Sequence, residues 1–423
     1  MTAQLWHDGR RGTATCVRRA GMTSGATVTR MADSVRVVWS PALLGYSFGP
    51  GHPMSPLRLD LTIQLARALD VLGRDGVRLH DPGIASDGDV LTVHDADYLA
   101  AVRAASAEGR LDRPRGLGTD DDPVFAGMHD AAARIVAGSL DGARAVWSGQ
   151  ADHAVNIAGG MHHAMPGAAS GFCIYNDAAI AIRRLLTDGA ARVAYVDIDA
   201  HHGDGVEHVF WDDPRVLTIS VHESGRTLFP GTGHSTDVGG PHAEGTVVNV
   251  ALPAGTGDHG WLRAFDAVVE PVVAAFAPDV VVSQHGCDAH RRDPLTHLRV
   301  SVDAQRAVGE RVHRLAHDVA GGRWLALGGG GYDLFDVVPR VWTHLIATAA
   351  HAGLDPATPV PVAWRETVET LSGGPAPATM TDGADLGFRP WSAGYDPADD
   401  LDRAIRATRQ AVFPHHGLDP MYD

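Results

Sequence analysis

A group of carboxylates and imidazoles follows one strongly apolar stretch of the sequence. The stretch, residues 193–196, is typical of a buried strand, and the polar group extends from Asp197 to Asp204. Side chains alternate along a strand, so Asp197, Asp199 and His201 are expected on one side. Burying several charges without a metal is costly, which disfavours the alternative of a plain ion-pair network. Carboxylate oxygens and neutral imidazoles are zinc ligands, and the stretch therefore predicts a zinc site.

A catalytic zinc ion needs three protein ligands and one open position. Asp199 and His201 supply two of them. Asp288 is the favoured third ligand because it follows another predicted strand. His285 and His290 lie close to it in the sequence and are weaker alternatives, more typical of residues around the site or on a loop surface.

Two adjacent histidines, His162 and His163, follow a pair of glycines after a further apolar stretch. One can act as a general base while the other assists electrostatically. Each ring needs a carboxylate to orient it, and Asp197 and Asp204 are available. A histidine pair in a loop is by default a surface or core feature, but its place at the end of a predicted strand favours a catalytic role.

Tyr332 follows four consecutive glycines. Glycine runs also occur in phosphate-binding loops, but the Lys and the Ser or Thr of such a loop are missing here. The glycines are expected instead to let the backbone deliver the tyrosine hydroxyl to a carbonyl oxyanion. Phe172 and Phe229 stand in loops near these groups, where they either pack in the core or line a narrow channel.

The elements that must position these residues alternate between strand and helix patterns, which predicts an α/β fold with a largely parallel sheet. The polar groups all follow the predicted strands, and open α/β sheets bind their ligands at that end. Strands are predicted at 34–39, 155–158, 193–196, 216–221, 246–251, 279–283 and 324–327. Helices are predicted at 56–72, 94–102, 128–147, 177–186, 261–276, 303–319 and 400–412.

The composition sets the limits of this interpretation. The chain has 423 residues, 44% of them apolar, with a net charge of −16 and no basic stripe, which excludes a nucleic-acid partner. No apolar run approaches the ~18 residues of a membrane span. The three cysteines are too widely spaced for a disulfide framework, so a reducing, cytoplasmic compartment is expected.

Domain boundaries follow from where periodicity begins and ends. Residues 1–30 lack apolar periodicity and are expected to be a disordered or dispensable extension. Residues 31–375 are predicted to form a single catalytic domain. The Pro/Ala-rich segment 376–423 is predicted to be a tail with one short helix.

Six ordered motifs resemble those of the zinc-dependent histone deacetylases, class I in pattern, over residues 34–350. They are the segments 51–54, 159–163, 171–173, 197–205, 229–233 and 328–332. Residues 118–123 and 288–297 are most similar to the bacterial acetoin utilization deacetylases. The resemblance implies a single-domain arginase/deacetylase-like fold, with helices on both faces of a mostly parallel sheet.

The resemblance also implies roles for individual residues. The zinc ligands would be Asp199, His201 and Asp288. The catalytic groups would be His163 with Asp204 as base and acid, His162 with Asp197 as electrostatic partner, and Tyr332 as oxyanion donor. The substrate would meet Gly171, Phe172, Phe229 and Leu295 in an acyl-lysine channel, Asp121 at the rim and Arg58 in an internal acetate cavity. A structural K⁺ would be held by Asp197, Asp199, His201, Ser220 and Val221.

Two departures from the family pattern stand out. Cys287 precedes the third zinc ligand where a small residue is expected, which raises the prospect of thiol oxidation there. The acidic loop is one residue longer, so Asp120 and Asp121 compete for the rim position.

The expected activity is zinc-dependent hydrolysis of acetyl-lysine in proteins, releasing acetate, and the acetoin-type resemblance points to acetyl-CoA synthetase as a substrate. The alternatives are an acetylpolyamine amidohydrolase, an arginase-like dimetal hydrolase and a non-catalytic acyl-lysine-binding protein.

Overall fold

The computed structural model describes residues 35–423, so the expectation for residues 1–30 lies outside the described part of the chain. The eight strands are β1 (Val35–Val38), β2 (Val77–His80), β3 (His153–Asn156), β4 (Val193–Asp197), β5 (Val216–Glu223), β6 (Val247–Leu252), β7 (Val280–Gln284) and β8 (Trp324–Leu327). They form one sheet in which every neighbouring pair is parallel, in the order β2-β1-β3-β8-β7-β4-β5-β6. The α/β fold with a parallel sheet is confirmed.

Both faces of the sheet are buried, because successive residues of a strand belong to different packed clusters. Ala194 and Val196 of β4 pack in the larger apolar cluster of the molecule. Val193 and Tyr195, which point the other way, pack in a second cluster with Ile182 of a helix on that face. A parallel sheet covered on both faces explains why its strands read as continuous apolar runs.

Twelve α-helices surround the sheet within residues 35–423, and none of them is both long and apolar enough to cross a membrane. A π-helical turn at Phe265–Val269 joins α7 (Asp258–Ala264) to α8 (Glu270–Phe276), so the predicted helix 261–276 is continuous. The helices are α1 (Leu57–Ala68), α2 (Asp87–Val90), α3 (Ala96–Glu108), α4 (Met128–Ser148), α5 (Asp177–Thr187), α6 (Asp204–Phe210), α7 (Asp258–Ala264), α8 (Glu270–Phe276), α9 (Val302–Ala320), α10 (Val337–Ala349), α11 (Val362–Ser372) and α12 (Asp400–Val412).

Five strands or α-helices, β2, α2, α6, α10 and α11, were not predicted from the sequence. β2 is an edge strand in which only Val77 is buried, so its sequence lacks a clear apolar pattern. α11 buries only Trp364 and Val368. α10 has the opposite character, since all of its residues are buried.

The segment 376–423 packs against the sheet within the same compact unit as the preceding residues. Its helix α12 lies against β6, where Thr408 Oγ1 donates to the Asn249 carbonyl at 2.6 Å. Arg263 of α7 forms a buried ion pair with Asp402 of α12, with Nε to Oδ1 at 2.7 Å. The tail therefore has a buried face of its own.

Candidate active site

Neighbouring strands bring the predicted chemical groups together at the carboxyl edge of the sheet. The strand order β3-β8-β7-β4 places the loops after these four strands side by side. They carry His162 and His163 after β3, Tyr332 after β8, Asp288 after β7, and the Asp197–His201 group at the end of β4. This is the edge at which open α/β sheets bind ligands.

Asp199, His201 and Asp288 converge on one point. Their potential ligand atoms all lie within 4.8 Å of one another. His201 Nδ1 lies 3.1 Å from Asp199 Oδ1 and 3.0 Å from Asp288 Oδ2. All three side chains are buried, so two carboxylates face each other with little solvent to screen them.

The backbone holds each carboxylate so that one oxygen remains directed at His201. The Gly330 N–H donates to Asp199 Oδ2 at 2.8 Å, and the Ala200 N–H donates to Asp288 Oδ1 at 2.8 Å. Glycine is required at this approach, because a Cβ on Gly330 would lie 2.1 Å from Asp288 Oδ2. Two held carboxylates and one imidazole form the donor set of a catalytic zinc site, and these residues fit that metal.

The pKa values around this point reflect the same crowding of charge. Burial, followed by the charge of Asp199, raises the pKa of Asp288 to about 6. Burial alone would lower the pKa of His201, but its hydrogen bonds to Asp199 and Asp288 outweigh it and raise that pKa well above the ordinary value. The two carboxylates therefore favour positive charge at this point, which is the environment that a metal cation needs.

The two adjacent histidines are each held by a carboxylate, as predicted from the sequence. His162 Nδ1 lies 2.8 Å from Asp197 Oδ2, and His163 Nδ1 lies 2.7 Å from Asp204 Oδ1. Their ring centroids are 4.0 Å apart.

Their pKa values are nevertheless shifted in opposite directions. Burial favours the neutral form of His162, but Asp197 and Asp199 outweigh it and raise its pKa to about 9. Burial, followed by the charge of His162, lowers the pKa of His163 to about 4. The pair thus provides one imidazolium and one neutral imidazole at neutral pH. With its Nδ1–H donated to Asp204, neutral His163 keeps a lone pair on Nε2.

Two residues without a role in the sequence-based interpretation hold the histidine loop. Asp177, the first residue of α5, accepts hydrogen bonds from the N–H groups of Gly160 and Met161. Asn176 Nδ2 donates to the carbonyl oxygens of His162 and Ala164 at 3.4 and 3.0 Å.

Further residues without a predicted role hold the carboxylates. The buried Tyr195 hydroxyl donates to Asp197 Oδ2 at 2.7 Å. Gln284 Nε2 donates to Asp199 Oδ2 at 2.9 Å. The only sequence signal for these residues was their position beside the motifs.

The loop that carries Tyr332 is fixed by a residue that was quoted in a motif but given no role. Asp293 Oδ2 accepts from the Tyr332 N–H at 2.9 Å, and its Oδ1 accepts from the Leu295 N–H at 3.0 Å. The Tyr332 ring packs edge-on against Phe172 with centroids 5.6 Å apart. Within residues 35–423 its hydroxyl has no protein hydrogen-bond partner, and burial raises its pKa well above 10.0. The hydroxyl therefore stays protonated and available as a donor.

Aromatic rings flank the approach to these groups on two sides. Phe229 is 45% exposed, and its ring centroid lies 5.0 Å from that of His163 and 6.3 Å from that of His201. Phe172 lies on the Tyr332 side. Gly171 leaves the passage open, since a Cβ there would lie 2.5 Å from His163 Cδ2. Phe172 also packs against the apolar core, and the channel lined by Phe172 and Phe229 stays a prediction.

The acidic loop reaches this rim through His52. His52 Nε2 lies 3.1 Å from the Asp121 carbonyl oxygen, and its ring lies 4.7 Å from that of Phe172. Asp120 and Asp121 are both exposed, whereas the next residue, Asp122, is buried. Burial, followed by the charge of Asp121, raises the pKa of Asp122 to about 8. Either exposed carboxylate has the freedom to meet a substrate.

Arg58 lies beneath the glycine loop. Its side chain is buried, Nη1 donates to the Gly329 carbonyl at 2.6 Å, and the guanidinium stacks on Trp342 at 5.2 Å. A small cavity adjoins it, lined by Tyr46, Met54, Ser55, Pro56, Arg58, Leu59, Ile135, Ala158 and Met161. This is the position expected of a residue in an internal cavity.

The residues predicted to hold potassium lie at the end of β4, in the loop that follows it and on β5. Asp197 and Ser220 are register partners, and Val221 follows Ser220 on β5. Ser220 Oγ contacts His222 Nδ1 at 2.9 Å. The potassium site stays a prediction.

The two histidines considered as alternatives to Asp288 for the third zinc ligand have other partners. His285 Nε2 lies 2.8 Å from Ser283 Oγ, and His290 Nε2 lies 2.9 Å from Asp382 Oδ2 in a buried pair. Asp288 is therefore the residue that the fold brings to Asp199. Cys287 is fully buried, and burial raises its pKa well above 9.0, so its thiol stays protonated and poorly reactive.

Comparisons with known proteins agree with this geometry. A family described as the histone deacetylase domain matches residues 52–349. The acetoin utilization protein AcuC of Bacillus subtilis (strain 168) is 43% identical over 360 residues, which cover 84% of this chain and 92% of that protein. The AcuC protein of Staphylococcus xylosus is 39% identical over 322 residues, 75% of this chain and 83% of its own.

A similar protein with the same name, from Staphylococcus aureus (strain MRSA252), is 41% identical over 312 residues, 73% of this chain and 79% of its own. The match thus extends over most of both chains and includes every loop of the candidate site. This chain belongs to the histone deacetylase family, in the subgroup of the bacterial acetoin utilization proteins.

Proposed function

We propose that this protein hydrolyses the acetyl amide of acetylated lysine side chains in proteins, releasing acetate, with one catalytic zinc ion held by Asp199, His201 and Asp288. The observation that carries the proposal is a single juxtaposition. The ligand set, a histidine pair with opposite pKa shifts and a tyrosine hydroxyl meet at adjoining strand ends.

The protein's own residues can perform the proton transfers of amide hydrolysis. Zinc, when bound, supplies a Lewis acid that polarises the amide carbonyl and lowers the pKa of the attacking water. Neutral His163 accepts the water proton on Nε2 and returns it to the lysine nitrogen as the carbon–nitrogen bond breaks. Asp204 fixes the tautomer that makes this possible.

The oxyanion that forms during the attack needs donors already in place. The protonated Tyr332 hydroxyl donates to that oxygen, and the charged His162 adds a nearby positive field. Asp293 fixes the backbone from which Tyr332 projects. These groups stabilise the transition state more than the bound substrate, so they affect turnover more than binding.

The channel and its rim favour an acylated side chain presented by a peptide. Phe172 and Phe229 flank a passage suited to an aliphatic lysine stem. The exposed Asp121 can accept hydrogen bonds from peptide N–H groups.

A dimetal hydrolase would need a second ion beside the first. Within the described residues, the group at Asp199 has three ligands, and the other metal-competent group lies at the opposite edge of the sheet. A purely binding role would leave the His163–Asp204 pair and the Tyr332 hydroxyl without a task.

The relatives are named acetoin utilization proteins, which supports a role of the present chain in acetoin utilization. Acetylated acetyl-CoA synthetase is then the protein substrate to test first. We propose that the reaction takes place in the cytoplasm.

The test is one substrate panel assayed for acetate release and for kcat/KM. It contains acetyl-lysine peptides, acetylated acetyl-CoA synthetase, acetylpolyamines and ureido compounds, each with zinc-loaded and chelator-treated protein. We expect zinc-dependent release of acetate, fastest from peptides or protein. Faster turnover of acetylpolyamines or ureido compounds would contradict the proposal, and so would peptide binding without acetate release.

A further inference from the structure

Four histidines converge at the amino edge of the sheet, away from the candidate active site. His153 is the first residue of β3, His313 and His317 lie one turn apart on α9, and His351 follows α10. One nitrogen of each ring lies within 4.8 Å of one nitrogen of every other ring. The six distances between ring centroids range from 4.6 to 5.2 Å.

His153 is held in the state that a metal ligand requires. Its Nδ1 lies 2.7 Å from the Ala349 carbonyl oxygen, which can only accept, so Nδ1 carries the proton. Nε2 therefore has a lone pair, and it is buried without a hydrogen-bond partner among the described residues. A buried acceptor left unpaired is costly. Metal-binding histidines usually donate their other N–H to a carbonyl or carboxylate in this way.

The backbone at His351 is also unusual. Its φ of 54° is in the left-handed region, which few residues other than glycine adopt. The His351 N–H donates to the Thr348 carbonyl at 3.0 Å, closing the turn after α10. Such conformations cost free energy and are often retained where a side chain has a function. Here the turn brings the imidazole to the other three.

We propose that His153, His313, His317 and His351 form a structural binding site for a divalent transition-metal ion, with zinc as the best fit. An all-imidazole donor set suits zinc, copper or nickel and disfavours magnesium or calcium. Four protein ligands leave no open position, as in structural zinc sites.

The spacing of the rings allows such a site to form. In a tetrahedral site with Zn–N distances of ~2.0–2.1 Å, the nitrogens are roughly 3.4 Å apart. The candidate nitrogens of the cluster all lie within 4.8 Å of one another, so small rotations of the rings suffice to reach that spacing. His317 and His351 are exposed, so an ion can reach the cluster from solvent.

A bound ion would tie three distant parts of the chain together. It would join the start of β3, the helix α9 and the end of α10. α9 begins after the loop that carries Asp288, and α10 begins after the loop that carries Tyr332. The expected consequence is higher thermal stability, with no direct part in the reaction. None of these four residues belongs to the proposed catalytic site, so the two ideas stand or fall separately.

The first test counts zinc ions bound by the full-length protein without a histidine tag. After removal of metal and dialysis against zinc, we expect two ions per wild-type chain and one in His317→Gln/His351→Asn. Asparagine tolerates the left-handed backbone at 351, and both positions are exposed, so the fold should survive. Zinc affinity at the cluster should fall at least ~10²-fold, since two ligands are lost.

A matched control removes two exposed histidines elsewhere. His208→Ala/His234→Ala should still bind two ions per chain. Zinc should raise the melting temperature of Asp199→Ala, which keeps the cluster, by several degrees. It should not do so when His317→Gln/His351→Asn is added. Equal zinc uptake by the wild type and His317→Gln/His351→Asn would overturn the proposal.

The second test identifies the ligands without relying on the double variant. One equivalent of Cu²⁺ added to metal-free Asp199→Ala should give an electron paramagnetic resonance spectrum with splitting from several nitrogens. It should also quench Trp324, whose ring lies 5.5 Å from His153 and 5.6 Å from His313. A spectrum without nitrogen splitting would overturn the assignment.

Discussion

The loops and ends of β3 carry buried histidines in two opposite electrostatic settings. At the carboxyl end His162 is 3% exposed, and Asp197 and Asp199 outweigh its burial to raise its pKa to about 9. At the amino end His153 is 0% exposed, and its pKa is lowered to about 3 by burial, reinforced by the neighbouring histidines. Burial is nearly the same at the two sites, so the nearby carboxylates decide the charge. A charged imidazole can stabilise an oxyanion, whereas a neutral one can bind a metal.

His163 shows that a single carboxylate is not enough. It is bonded to Asp204, yet its pKa falls to about 4 because of burial and the positive charge of His162. The carboxyl edge therefore contains both protonation states within one pair of residues. This division of roles depends on the second carboxylate near His162, Asp199, which is also a predicted metal ligand.

The largest expected effect separates the two ends of the sheet. Asp199→Ala should abolish zinc binding at the carboxyl edge and reduce hydrolysis to the background of the assay, because a three-ligand site does not tolerate loss of a ligand. The histidine cluster should keep its ion. Metal analysis of the purified variant, with circular dichroism as a check of folding, measures both. Full activity in Asp199→Ala would show that the reaction does not use this site.

The next largest effect is expected from a variant that loses a catalytic hydroxyl but keeps the metal ligands at both ends of the sheet. Tyr332→Phe keeps the ring that packs on Phe172 but removes the hydroxyl. Loss of one oxyanion donor typically costs on the order of 10²–10³ in turnover. We expect kcat to fall by that factor, with peptide affinity and zinc content unchanged. Near-normal turnover would exclude Tyr332 from the reaction.

Acid should reveal a neutral histidine close to the catalytic loops. His94 Nε2 accepts from the Asn176 N–H at 2.9 Å, and burial lowers the pKa of His94 from 6.5 to about 4. Between pH 6.5 and pH 4, His94 is therefore neutral in the folded protein but protonated in the unfolded chain. Stability from this residue is complete above pH 6.5 and is lost as the pH falls toward 4, by about 3 kcal/mol.

Denaturant unfolding of metal-free protein at pH 7 and pH 4.5 measures this loss. His94→Gln keeps a side-chain acceptor for Asn176 but cannot titrate, so its stability should fall less between the two pH values. His234→Gln is a suitable control because His234 is exposed. An equal loss in wild type and His94→Gln would contradict the assigned pKa.

The sequence predicts the central part of the fold and of the site because those signals are local. Asp199 and His201 share one strand end, and Tyr332 shares a loop with its glycines. The strands between them are continuous apolar runs, so the parallel sheet follows. Mostly exposed elements such as β2 and α11 bury too few residues to give an apolar pattern in the sequence, so they were not predicted.

The remaining residues could not be predicted because their partners are remote in the chain. Asp293 acts through the backbone N–H of Tyr332, 39 positions away. The spacing of His313 and His317 places them on one helix face, which is a visible signal. His153 and His351 join them only through the packing of β3, α9 and α10, which no single segment encodes.

The smallest expected effect concerns carboxylates that are exposed at the rim. Asp121 is exposed, and its carbonyl is bonded to His52 beside the aromatic channel. A solvent-exposed contact to a peptide N–H contributes about 1 kcal/mol or less to the binding free energy, because water screens it. The carboxylates bonded to His162 and His163 are buried and lack that screening. Asp121→Ala should therefore reduce kcat/KM for acetyl-lysine peptides about fivefold and leave kcat/KM for a minimal acetylated amine unchanged. Added salt should weaken the effect.

Asp120→Ala is the matched control, since Asp120 is the exposed neighbour that competes for the same role. Equal losses on the peptide and the minimal amine would rule out a peptide contact at the rim. A loss confined to Asp120→Ala would transfer the contact to that residue.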